Sequence, residues 1–374
     1  MSDLGALPTP SLLLDGARVE RNVARMGARI AGLGASLRPH VKTHKSIEVA
    51  RMQAAAGMRG ITVSTLAEAR AFAAHGFDDI TYAVPIERGK FDAVAQMNAD
   101  GARLAVITDD VAIPGPLGEA ARQAGVNIDV YLKVDCGYHR CGVDPEGPAL
   151  PELAQRIGER THLRFAGILA HAGHSYKARD AAQILAVARS ERDVMVAAAA
   201  RLSAGGIAVP VVSIGSTPTA SHIDDLTGVH EVRTGNYAFF DVMQVAIGSC
   251  TPDDCALSVL AAVVHRDVAR GKVILDAGGI ALSKDSGIAD ADGVSHYGRV
   301  LDLEGRDLGL RLTGLSQEHG VVEVRDDALL TRLGVGTRVR VLANHSCLTA
   351  AQHAEYVVCD GPKVVDRWVN HRGW

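Results

Sequence analysis

The chain has 374 residues, with 39 lysines and arginines set against 43 aspartates and glutamates, for a formal charge of −4 at neutral pH. That balance argues against a dedicated nucleic-acid binder, whose footprint is a basic excess, and 47% apolar with 22% charged residues excludes disorder as the main state. Two domains are expected at this length, and the 39 glycines point to many tight turns.

The six cysteines, at positions 136, 141, 250, 255, 347 and 359, are too few for a disulfide scaffold in a chain this long. The two C-x4-C pairs lack the short ligand spacing of structural zinc sites. The chain opens Met1-Ser2-Asp3-Leu4-Gly5, with no basic, apolar and small-residue signal. Its longest soft stretch, 194–212, is alanine-rich and broken by Arg201, short of the roughly 20 apolar residues a membrane span needs. A cytoplasmic, reducing setting without a membrane partner is the expectation.

From residue 10 to about 235, β-rich runs alternate with amphipathic stretches. The run 11–14 reads as a buried strand, and Val19, Val23, Met26, Ile30 and Leu33 then recur at helical spacing up to Gly34. The alternation continues through runs at 36–38, 60–63, 80–82, 104–107, 128–134, 165–169, 211–214 and 229–233. Pro210 suits a strand start because it has no N–H to donate to a ladder. Strands alternating with helices imply parallel βαβ units, and this many fit an α/β fold of the (β/α)8 TIM-barrel type better than an open sheet. After residue 240 the pattern changes to short runs at 257–264, 272–276, 321–325, 338–342, 355–359 and 363–368, separated by turn residues, which predicts an all-β second domain. The expected division is a barrel over 1–245 and a C-terminal β domain over 246–374, with the boundary near Thr251-Pro252-Asp253-Asp254.

Barrel active sites form where strands end at the C-terminal face, so polar clusters just after strands are the informative ones. The densest is Arg38-Pro39-His40-Val41-Lys42-Thr43-His44-Lys45, which out of context could be a solvated basic loop. Gly215-Ser216-Thr217-Pro218-Thr219 follows the run 211–214, and Gly235-Asn236-Tyr237 follows 229–233. Small hydroxyl residues and glycine N–H groups at late barrel strands are what a phosphate requires. A phosphate pocket opposite an early lysine suggests a phosphorylated cofactor held through a Schiff base.

These motifs, with His171-Ala172-Gly173-His174-Ser175-Tyr176 and His345-Ser346-Cys347, resemble the D-serine dehydratase and D-threonine aldolase family from about residue 8 to the C-terminus. These are pyridoxal 5'-phosphate enzymes of fold type III with an alanine-racemase-like barrel. The resemblance implies that Lys42 carries the cofactor and removes the α-proton, with His40 and His44 shaping its surroundings. It places Arg140 near the cofactor's phenolic oxygen, Tyr176 against the pyridine ring, and Thr217, Gly235 and Asn236 at the phosphate. It also implies a homodimer.

His345 and Cys347 follow the run 338–342, and in an extended segment residues i and i+2 point to the same side. A nitrogen with a soft sulfur favours Zn2+ over harder ions such as Mg2+ or Mn2+, and two ligands leave open positions for substrate. Family aldolases resemble His-x-Asp here, so Cys347 tilts the reading towards the dehydratases, whereas Leu348-Thr349-Ala350-Ala351 matches neither branch closely. Gln317-Glu318-His319-Gly320 also resembles a family motif near the metal, although a plain turn is an equal reading of His319.

The chemistry implied is a PLP- and divalent-metal-dependent lyase acting on D-3-hydroxy-amino acids, by dehydration or by retro-aldol cleavage to glycine and an aldehyde. More remote readings are an amino-acid racemase, a non-enzymatic cofactor carrier, which would not need residues 250–374, and a metal-only barrel hydrolase, which would not need Lys42.

Overall fold

The computed structural model describes residues 3–289 and 293–374. The chain divides into two compact units, one of Ala24–Gly235 with His371–Trp374 and the other of Met1–Val23 with Asn236–Asn370.

The first unit is built on an eight-stranded parallel sheet in the order Ser36–Leu37, Glu231–Val232, Val212–Ile214, Leu163–Leu169, Ile128–Lys133, Arg103–Thr108, Asp79–Pro85 and Ile61–Val63. Its two end strands meet: Arg59 N–H donates to Leu37 O at 3.1 Å, Thr62 N–H donates to Pro39 O at 2.8 Å, and His40 and Thr62 form a parallel bridge. The sheet therefore closes into the expected α/β barrel. Helices Ile47–Ala55, Leu66–Ala73, Phe91–Ala99, Pro114–Ala124, Ala149–Gly158 and Ala181–Ala204 return the chain between strands. Several begin at a side-chain cap, as where Thr65 Oγ1 accepts from Glu68 N–H at 3.0 Å and Asp180 Oδ1 from Gln183 N–H at 2.8 Å.

The barrel interior is not purely aliphatic. Arg38 Nε donates to Glu231 Oε2 at 2.7 Å and its Nη1 to Asp79 Oδ1 at 2.8 Å, while Ser213 Oγ donates to the other Glu231 oxygen at 2.6 Å. Arg233 donates to Ser213 Oγ and Ala170 O. Charges out of water are tolerated only when paired this completely.

The second unit is a nine-stranded sheet, nearly all antiparallel, in the order Lys272–Leu275, Gly320–Glu323, Asp307–Leu315, Gly298–Leu301, Arg338–Ala343, Leu257–Asp267, Ser11–Asp15, Glu355–Asp360 and Lys363–Val369. Lys272–Leu275 pairs back onto Leu257–Asp267, so the strands between them close into a second, smaller barrel.

Two expectations change here. The run 11–14 is a strand, but not of the α/β barrel: it pairs antiparallel with Leu257–Asp267, Ser11 opposite Leu260, and parallel with Glu355–Asp360, Leu13 opposite Val357. Leu13 belongs to a cluster with Leu4, Leu7, Leu260 and Val357. A strand apolar on every residue announces burial, not which sheet buries it. The division at 245 likewise differs from the units found, because residues up to Val23 and from Asn236 onward group with the β sheet. Among the described residues no helix is long and apolar enough to cross a membrane.

Candidate active site

Because all eight barrel strands run parallel, the segments that leave their C-terminal ends share one rim. After Ser36–Leu37 the chain turns through the short 3-10 segment Val41–Thr43, where His40 Nδ1 accepts from Lys42 N–H at 3.4 Å. The Lys42 side chain is exposed. Burial first, and then the Lys42 charge, hold both His40 and His171 well below the ordinary imidazole range, so both rings are neutral at pH 7. His171 Nδ1 donates to Gly215 O at 2.9 Å, joining the segments after Leu163–Leu169 and Val212–Ile214.

Those segments form a hydroxyl-lined cradle. Thr217 Oγ1 and Thr234 Oγ1 hydrogen-bond at 2.6 Å, and Ser216 Oγ meets both Ser175 Oγ and Thr219 Oγ1 at 2.9 Å. Beneath them the buried carboxylate of Glu191 accepts from Ala172 N–H at 2.9 Å, Gly215 N–H at 3.1 Å and Thr219 Oγ1 at 3.2 Å. Gly235 closes the other side, where a Cβ would stand 2.5 Å from His40 O and 2.9 Å from Thr43 Oγ1, so only glycine leaves the backbone this close. Backbone packed without side chains beside threonine and serine hydroxyls fits a phosphate.

Arg140 is exposed and holds its guanidinium 5.2 Å from the centre of the Tyr138 ring, which meets the His171 ring edge-on at 6.1 Å. Asp135 Oδ1 pins this loop by accepting the N–H groups of Gly137, Tyr138 and His139, each at 3.0 Å. Tyr176 is partly buried in the short segment Gly173–Lys177. Lys42, Arg140, Tyr176, Thr217 and Gly235 thus all follow barrel strands on one rim.

His44 points elsewhere. It is fully buried, its Nε2 lies 3.2 Å from Gln53 Oε1, and its Nδ1 accepts from Ser46 N–H at 3.1 Å. Burial, against the hydrogen bonds to Gln53 and Ser46, pushes it down to about 3. This is a neutral ring pinning the start of helix Ile47–Ala55, and its two nitrogens are committed to structure.

In the β unit, His345 and Cys347 do meet, but by a different geometry from the one expected. Ser346–Ala350 is a helix with His345 at its N-cap, so the pair meets across the first turn of a helix and not along a strand. His345 Nδ1 donates to Asp285 Oδ2 at 2.8 Å. Burial opposes its charge, yet the hydrogen bonds to Asp285 and Cys347 outweigh burial and raise it to about 11. Asn236 Nδ2 donates to Asp241 Oδ2 at 2.6 Å, Ser346 Oγ at 3.0 Å and Cys347 Sγ at 3.6 Å. Its side-chain amide, expected at the phosphate, therefore braces the His-x-Cys turn.

Among the described residues no group of three or more His, Cys, Asp or Glu side chains could hold a metal ion. The pair itself fits one. Asp285 on Nδ1 leaves Nε2 for a ligand bond, the carboxylate–histidine arrangement of metal sites, with Cys347 supplying sulfur. The buried Asn236 Oδ1 accepts no hydrogen bond among the described residues, which leaves an acceptor beside the pair. His319 is exposed in the turn before Gly320–Glu323, its ring 3.5 Å from Ser316 Oγ. Sequence reasoning missed Asp285, 60 residues from its histidine, and also Glu191, Tyr138 and the bracing role of Asn236. No local pattern marks any of them.

The family profile described as "Alanine racemase, N-terminal domain" matches residues 14–242, and that described as "Putative serine dehydratase domain" matches residues 256–359. The chain is 42% identical to a D-threo-3-hydroxyaspartate dehydratase of Delftia sp. (strain HT23), covering 98% of each chain, and 32% identical to a D-threonine aldolase of Arthrobacter sp., covering 99% of this chain and 94% of that one. A solved structure of a D-threo-3-hydroxyaspartate dehydratase mutant in a metal-free form superposes with a TM-score of 0.95 at 41% identity, covering 100% of both chains.

Proposed function

We propose, from the premise that this chain belongs to the D-serine dehydratase and D-threonine aldolase family, that it is a lyase dependent on pyridoxal phosphate and a divalent metal ion. On this reading it eliminates water from D-3-hydroxy-amino acids, with D-threo-3-hydroxyaspartate the leading substrate. The observation that carries the reading is the 42% identity, over 98% of both chains, to a relative named for that reaction.

When bound, pyridoxal phosphate supplies an electron sink for the substrate's Cα, and the divalent ion supplies a Lewis acid for its β-hydroxyl oxygen. Lys42 Nζ is the covalent anchor and the atom that takes the α-proton. His40 and His171 beside it are neutral, so they add no charge that would compete with Nζ for the proton. Thr217 and Gly235 hold the phosphate, Arg140 and Tyr176 the ring. In the β unit, His345 Nε2 and the Cys347 thiolate hold the metal. The pairing of imidazole with a soft sulfur favours Zn2+. Asp285 fixes the His345 tautomer by accepting from Nδ1. His44 positions the Lys42 segment and does not react.

The same reading carries a homodimer, checked by light scattering, and a reducing cytoplasmic setting, in keeping with six free cysteines.

The test is product identification. Cofactor-loaded protein is given D-threo-3-hydroxyaspartate, D-serine and D-threonine, with and without a chelator. Ammonia and a keto acid, lost with the chelator, are expected. Glycine and an aldehyde would select the aldolase reading that the D-threonine aldolase relative favours. Equal turnover of L-isomers would select a racemase. Lys42→Ala should lose the yellow colour and the activity, and retained activity would overturn the assignment.

A further inference from the structure

The β unit also holds a cavity of about 390 Å3 that none of the groups above line, within the roughly 300–1,000 Å3 span of small-molecule pockets. Its floor is one face of the antiparallel sheet. Strands Gly298–Leu301 and Arg338–Ala343 pair Arg299 with Leu342 and Leu301 with Arg340, so arginines and leucines alternate across that face. Val242 and Val245, from the short helix Val242–Ala246, also line it.

The arginines of this cavity differ in how they are satisfied. Arg18 holds Asp15 at 3.2 Å and donates to Cys255 O at 2.9 Å, while Arg306 holds Asp302 at 2.6 Å and Glu304 at 2.8 Å. Arg340 is partly buried, and among the described residues it makes no ion pair. Its Nε donates to Ser258 Oγ at 3.0 Å, and among the described residues its two Nη groups have no acceptor. Nη1 lies 3.6 Å from where a Cβ on Gly305 would stand, so the glycine keeps the space in front of the guanidinium clear. Burial works against the Arg340 charge. A half-buried guanidinium facing an open cavity, with apolar walls beside it, is a carboxylate receptor lacking its carboxylate. Asp15, Asp253, Glu304 and Asp307 also line the cavity; the Asp15 and Asp302 charges favour the Arg340 charge without bonding to it, and the acidic lining disfavours dianions such as phosphate esters.

We propose that this cavity is a second binding site, for a small organic monocarboxylate with a compact apolar body. The carboxylate sits on the Arg340 Nη groups and the body on Leu301, Leu342 and Val242. The proposal is independent of the function assigned above, since it uses no residue of that chemistry.

Benzoate is the probe, titrated calorimetrically into cofactor-loaded protein, with benzamide as its uncharged isostere and inorganic phosphate as the dianion. Benzoate should bind at least tenfold more tightly than either. Arg340→Met should weaken benzoate tenfold or more, and Arg340→Lys, which keeps the charge, by only a few fold. Leu301→Trp keeps the guanidinium but fills the cavity, so it should abolish binding, and it decides the matter if Arg340→Met does not fold. The visible cofactor band should stay unchanged on adding benzoate, separating this cavity from the cofactor's pocket. Failure of wild-type protein to bind benzoate, equal binding of benzamide, or unchanged affinity in both Arg340→Met and Leu301→Trp would each overturn the proposal.

Discussion

Acidification from about pH 7.5 to about pH 5 should remove about 2 kcal/mol of folding stability through His44 alone. The folded ring is held at about 3, whereas in the unfolded chain it returns to its ordinary 6.5. Between those values the unfolded chain binds a proton that the folded chain refuses. Stability is therefore fully present above 6.5 and drains away as the pH falls towards 3. The whole window amounts to about 5 kcal/mol, and the part above about pH 5 to about 2 kcal/mol, which needs only that the folded ring stay neutral there. The assay is urea unfolding followed by far-ultraviolet circular dichroism at both pH values, for wild type and His44→Gln. His40 and His171 titrate in both proteins and cancel, so the acid-induced loss should be larger in wild type by about 2 kcal/mol. Equal losses in the two proteins would refute the burial argument, as would a His44 ring that titrates near 6.5 by NMR in the folded protein.

Asp285→Asn should weaken metal binding about 10- to 100-fold in chelator competition, because the imidazole loses the carboxylate that orients it; unchanged affinity would show that the Asp285–His345 contact is incidental. Gly235→Ala forces a Cβ to within 2.5 Å of His40 O, so the segment that carries Lys42 must shift. A loss of about 1–3 kcal/mol is expected in thermal unfolding, with a weaker visible band at a fixed cofactor concentration. A variant of wild-type stability would mean that this backbone is softer than its packing indicates.

The α/β barrel is legible in the sequence because each of its strands is a compact apolar run, with helical spacing or a polar loop after it. The runs at 128–134 and 165–169 became Ile128–Lys133 and Leu163–Leu169. Strand 11–14 is legible as a strand but not in its partners, since three consecutive leucines fit the inside of either sheet. Gly298–Leu301 and Asp307–Leu315 escape notice for a different reason. The second carries Gly309 at φ +69°, a left-handed residue inside a strand, and its register against Gly298–Leu301 shifts between Val300 and Leu301. Lys42, Thr217 and Gly235 are found because they follow strands in recognisable clusters. Asp285 and Glu191 are not, because each acts through a contact made by folding: one a carboxylate in a loop, the other a glutamate within the charged stretch 189–193 of a long helix. The spacing of His345 and Cys347 marks them as a pair, yet the same spacing misleads about their geometry, because a helix begins between them.

The strand Ser11–Asp15 is made long before either of the strands that flank it. Its neighbours on either side lie at residues 257–260 and 357–359, so for most of synthesis Leu12, Leu13 and Leu14 travel as an unsheltered apolar edge. Until residues 257–260 are made the strand has no antiparallel partner, and until 357–359 are made it has no parallel one. A nascent chain arrested before residue 257 thus carries an apolar strand with neither partner, an edge open to other such chains on the polysome.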